Sequence, residues 1–151
     1  MVNALNVGNS ILARAFTENI DITPMKLQKM IYFVYRGYLK ETKMPLFNER
    51  FEVWKYGPVI PSVYACFRHY GANAIKRYAA EGDGQTVLVV NEDSSLAFKK
   101  VIESIWSKCK RLDGIYLSSL THKEGTAWRK AYENQSPYLS DSDIASEEEV
   151  F

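Results

Sequence analysis

The segment from Thr23 to Lys40 restricts the fold more than any other part of this chain. Thr23-Pro24 reads as a helix start: the threonine hydroxyl can accept from free backbone N–H groups, and proline fits the first turn. Leu27, Met30, Ile31, Val34 and Tyr38 then fall on one helical stripe. The opposite side is not simply polar, because Lys29, Phe33, Arg36 and Lys40 share it, with Tyr32 and Leu39 on its flank. A helix with an apolar face and an aromatic, basic back is either central to the fold or presented to a partner. On the second option, the expected partner-binding residues are Tyr32, Phe33, Arg36 and Lys40, with Lys29 in support.

Helices of similar kind are predicted around this one. Ala4 to Thr17 forms a first helix, and Pro61 to about Tyr70 another, opened by proline and closed by Gly71. A helical fragment within 72–85 ends in the Gly82-Asp83-Gly84 turn. A long helix capped by Asn91 or Asp93 runs to about Arg111 on Phe98, Val101, Ile102, Ile105 and Cys109. Shorter ones follow at Gly114–Leu120 and Thr126–Glu133. Two stretches read as extended: Phe51 to Tyr56, which ends at Gly57-Pro58, and Thr86 to Val90, rich in valine. Pairing them gives a small two-stranded ribbon. The expected architecture is mainly α, a single domain over residues 1–151 with six or seven helices, and a tail after about residue 136 that is loosely held.

Chain length and composition narrow the function. With 151 residues there is room for one sizeable core. Nineteen basic against 18 acidic residues, a net charge of +1, disfavours nucleic acid, whose binders neutralise many phosphates. The acids gather late, at Asp141, Asp143, Glu147, Glu148 and Glu149, so the body is mildly basic. No run approaches transmembrane length and no signal segment opens the chain, so the expectation is no membrane and a reducing cytoplasm. Cys66 and Cys109 are read as free thiols on helices.

Catalysis finds little support. No phosphate-cradling glycine loop is present. Cys66 and His69 lie three apart on one helix face, short of the four ligands zinc needs, so no metal or cofactor is expected. His122 and Glu124 with Cys66 or Ser119 would make a nucleophile, base and orienter, but no strand-to-helix elbow surrounds them. A helix cap from Thr121 or Thr126, with His122 and Glu124 bonding the preceding turn, accounts for these residues better. Lys26, Lys29, Arg36 and Lys40 with Tyr32 and Phe33 supply the runner-up, a phage or bacterial regulator that contacts nucleic acid.

Three stretches carry a further signal. They are Thr23-Pro24-Met25-Lys26-Leu27-Gln28-Lys29-Met30-Ile31-Tyr32-Phe33, then Pro45-Leu46-Phe47 with Phe51-Glu52-Val53-Trp54-Lys55-Tyr56-Gly57-Pro58-Val59-Ile60-Pro61-Ser62-Val63-Tyr64, then Leu120-Thr121-His122-Lys123-Glu124-Gly125-Thr126-Ala127-Trp128. In this order the chain resembles the Panacea domain family of SocA-like antitoxins, some of them carried by phages. Ala127 departs from the family's usual proline before the last tryptophan. The resemblance implies an antitoxin of a type II-like pair that neutralises a cognate toxin by direct contact, and no catalytic residues. Trp54, Tyr56, Gly57, Pro58, Pro61, Tyr64, His122, Glu124 and Trp128 are read as its scaffold, since Gly and Pro set the backbone and Trp is core-sized. Whether the free chain is a homodimer is left open by the sequence.

Overall fold

Helix caps fix most of the element boundaries. In the computed structural model, which describes residues 2–151, six of the seven α-helices begin at a side chain that accepts from one of the first-turn backbone N–H groups that would otherwise be left free. These caps are Asn3 for α1 (Ala4–Glu18), Thr23 for α2 (Pro24–Thr42), Ser95 for α4 (Leu96–Cys109), Asp113 for α5 (Gly114–Thr121), Thr126 for α6 (Ala127–Glu133) and Ser140 for α7 (Asp141–Ser146). The exception, α3 (Pro61–Phe67), starts on a proline and continues as a 3₁₀ turn over Arg68–Tyr70. A second 3₁₀ turn, Glu92–Ser94, is where Asn91 caps, so the long helix begins later than its sequence suggests.

One antiparallel hairpin completes the fold: β1 (Glu52–Trp54) pairs with β2 (Gly57–Val59), with Trp54 opposite Gly57 and Glu52 opposite Val59. The ribbon therefore exists, but its second strand is not Thr86–Val90. That segment runs without strand pairing, and Val87, Leu88 and Val89 are 39–51% exposed. The helical fragment expected within 72–85 is likewise absent, replaced by turns and irregular backbone. Asn9 on α1, fully buried, holds this stretch instead. Its amide donates to the Ala79 and Leu88 carbonyls at 2.9 and 3.0 Å, and its oxygen accepts from Ala79 N–H at 2.9 Å. Ser10 adds a bond from Val90 N–H at 2.9 Å. Side chains thus satisfy backbone groups that a strand partner would otherwise satisfy.

α2 is the axis of a single compact domain. It packs against α1, α3, α4, α5, α7 and β2. Its stripe Leu27, Met30, Ile31 and Val34 is buried with Val7, Ile11, Phe98, Ile102 and Leu117 in one core. At Gly37 an added Cβ would stand 2.7 Å from Val101, so glycine lets α2 and α4 approach closely.

The other side of α2 is covered too. The chain after residue 136 is not loose: Leu139 N–H donates to the Phe51 carbonyl at 3.0 Å, Tyr138 bridges to Glu52, and Ile144 is 1% exposed. It then lays Glu147, Glu149 and Phe151 over the back of α2.

Candidate interaction site

That covering corrects the surface predicted on α2. Lys29, Tyr32, Phe33 and Arg36 are at most 2% exposed, and only Lys40 keeps partial access to solvent. Glu147 supplies the reason. Its carboxylate, itself buried, accepts from Tyr32 OH at 2.5 Å, Arg36 Nη1 at 3.0 Å and Ala127 N–H at 2.7 Å. Lys40 Nζ donates to the Glu147 carbonyl oxygen and lies 3.3 Å from Glu149. Phe151 packs edge-on against Phe33 at 5.1 Å. Burial and the neighbouring Glu147 charge push the Tyr32 phenol well above its ordinary range. Lys26, at 5% exposure, is turned to the Lys110 carbonyl at 2.5 Å. The basic stripe proposed for a phosphate backbone is therefore largely interior.

The scaffold residues do converge, on the hairpin. Gly57 has φ +118°, and an added Cβ would stand 2.5 Å from Thr121 Oγ1 and 3.0 Å from Lys29 Cε. Glycine is thus required both by the turn and by the closeness of α5 and α2. His122 sits between elements, with Nδ1 2.7 Å from the Ser118 carbonyl and Nε2 3.0 Å from the Lys55 carbonyl. Trp128 lies edge-on to His122 and donates from Nε1 to the Trp54 carbonyl at 2.8 Å. Ser118 Oγ donates to the Tyr56 carbonyl at 2.5 Å. The hairpin is thereby fastened to α5 and α6 by its carbonyls. Pro58 offers another, which Lys29 Nζ reaches at 3.0 Å, and Pro61 opens α3. Thr126, not Thr121, caps α6, and Glu124 is exposed.

The catalytic arrangement considered from the sequence is not assembled. Ser119 Oγ donates to the Tyr116 carbonyl at 2.6 Å, and among the described residues no hydrogen bond links Cys66, Ser119, His122 and Glu124. Nor do three or more His, Cys, Asp or Glu side chains gather among the described residues as a metal ion would need. Cys66 and Cys109 are both free, and burial pushes the Cys109 thiol up to about 12. No helix of the described residues is long and apolar enough to cross a membrane.

What the hairpin borders is a groove of about 460 Å³ between α2 and α3. Gln28, Lys29, Val59, Val63 and Phe67 are its buried lining, while Tyr56 and Tyr64 stand 56% and 41% exposed at its edge. Gln28 organises it, donating to the Ile60 carbonyl at 3.1 Å and accepting from Ile60 N–H at 3.0 Å. Trp54 packs edge-on against Tyr64 at 4.8 Å, and its Nε1 is held by Glu52 at 2.9 Å. Large amphipathic rings around an apolar hollow are the composition of a protein-binding patch. Trp54, Tyr56 and Tyr64, expected as scaffold, all line this groove, and the two tyrosines are exposed there. Arg68 also lines the groove; neither it nor Gln28 has a local sequence sign of this placement, since a single Gln or Arg on a helix does not show what it faces.

Residues 27–129 match the family model described as "Antitoxin SocA-like, Panacea domain". The chain is also 33% identical over 129 residues to a protein named Antitoxin SocA from Caulobacter vibrioides (strain NA1000 / CB15N), an alignment that spans 84% of this chain and 69% of that protein. No solved structure matches.

Proposed function

Because this chain belongs to the SocA-like antitoxin family defined by the Panacea domain, we propose that it neutralises a cognate toxin by binding it directly, as the antitoxin of a type II-like pair acting in the cytoplasm. The observation that carries this reading is the likeness to a named antitoxin over 84% of the chain. The structure supports a contact role over a catalytic one: the polar residues around the hairpin spend their hydrogen bonds on backbone carbonyls, and the aromatic residues left exposed surround an apolar groove. A hairpin whose carbonyls are held in this way has less backbone freedom to lose on association, which favours affinity.

The test is genetic and then biochemical. The open reading frame beside this one is expressed alone and together with the chain. Growth arrest by the neighbour alone, rescue on co-expression and recovery of a stoichiometric complex are the expected results. Rescue with no complex at micromolar concentrations refutes neutralisation by direct binding.

A further inference from the structure

The groove beside the hairpin has one-sided charge. Its lining holds basic side chains and no carboxylate: the exposed Lys55 and Arg68, with the buried Lys29 beneath, set among Met25, Val59, Val63 and Phe67. Elsewhere in the chain Arg36 has Glu147 at 3.0 Å and Arg14 has Glu92 at 2.6 Å, while the buried Lys26 is held by the Lys110 carbonyl. The three in the groove form no salt bridge among the described residues. Lys55 and Arg68 are exposed, and Lys55 lies over the Tyr56 ring at 5.4 Å. Lys29 is 1% exposed, and its amino group has one partner, the Pro58 carbonyl.

Cations without acids beside an apolar hollow are complementary to a ligand that is apolar and anionic at once. A hollow of about 460 Å³ admits side chains, and the exposed Tyr56 and Tyr64 would close around them and exclude water from the charges. The geometry points to this groove as the docking site for a segment of the partner protein that inserts apolar or aromatic side chains and sets Asp or Glu carboxylates against Lys55 and Arg68, with Lys29 beneath. That the segment belongs to a toxin rests on the antitoxin reading; the chemistry of the groove does not.

A phage-displayed library of random linear peptides, selected on the intact chain, tests the groove. Enriched peptides are expected to pair Leu, Ile, Phe or Trp with Asp or Glu. An enriched peptide, titrated by intrinsic tryptophan fluorescence, should lose roughly tenfold or more in affinity to the Lys55→Glu/Arg68→Glu double variant, with the loss greatest at low salt. Both side chains are exposed, so an unchanged melting temperature serves as the folding control. Absence of enrichment, enrichment of basic peptides, or unchanged affinity in the double variant overturns the inference. The two readings separate cleanly. If the wild-type chain fails to rescue its neighbour's toxicity while acidic, apolar peptides bind the groove, the antitoxin reading falls and the groove stands. If rescue succeeds while the charge reversals leave peptide affinity untouched, the groove falls and the antitoxin reading stands.

Discussion

Glu147 is the residue whose loss this fold should tolerate worst. Its side chain is 4% exposed, and Arg36, its partner at 3.0 Å, is 3% exposed. Glu147→Ala leaves the guanidinium without its buried counter-charge and also strips acceptors from Tyr32 OH and Ala127 N–H. Glu149, the remaining acid at 3.6 Å, is 62% exposed and too well solvated to replace it. Removing one member of a buried pair costs about 3–5 kcal/mol. A domain of this size is stable by roughly 5–15 kcal/mol and loses about 2–4 °C per kcal/mol, so the melting temperature should fall by roughly 6–20 °C. Urea and thermal unfolding followed by far-UV circular dichroism measure both quantities. The charge-free double variant Arg36→Met/Glu147→Met supplies the contrast. It removes the stranded charge, so it should be clearly more stable than Glu147→Ala alone. The reasoning is refuted if Glu147→Ala costs under about 1 kcal/mol, or if the double variant is the less stable of the two.

Two further outcomes follow from the hairpin. Burial pushes the Lys29 ammonium down to about 7. Between that value and the ordinary ~10.4 the unfolded chain holds a proton that the folded chain has shed, so stability rises with pH across the window; below it the full cost of the buried charge remains. Urea unfolding of the wild type and Lys29→Met from pH 6 to 10 should show the wild type gaining on the variant as pH rises, and parallel curves would contradict the assignment. Gly57→Ala imposes a Cβ on a φ of +118° and pushes it against Thr121 and Lys29, and should cost about 2 kcal/mol or more in the same assay. A cost no larger than that of an exposed alanine substitution would mean that the hairpin can turn without this conformation.

Local chemistry was readable wherever a residue acts on its own neighbours. Thr23-Pro24 and Pro61 mark helix starts, the stripe from Leu27 to Val34 marks a core face, and Gly57-Pro58 marks a bend, because capping, periodicity and fixed φ depend on residues a few positions apart. Thr86–Val90 has the residue types of a strand but finds no ladder partner, since Gly57–Val59 already occupies β1 and Asn9 holds the loop by its carbonyls. β-propensity describes fit to a sheet that must be built by something else.

The sequence by itself determined most of the helices, the cap at Thr23 and the apolar side of α2, and it marked the bend at Gly57-Pro58 without the strand pairing around it. Only the tertiary structure decided what becomes of the other side of α2. A row of Lys, Tyr, Phe and Arg reads the same whether it faces water or a carboxylate brought from more than a hundred residues away. Tertiary packing closed that side with Glu147 and left the groove next to Lys29 open. The physical reason is range: helix periodicity is set by bonds four residues long, whereas the burial of a charge depends on whether a distant segment can supply its counter-charge at hydrogen-bond distance.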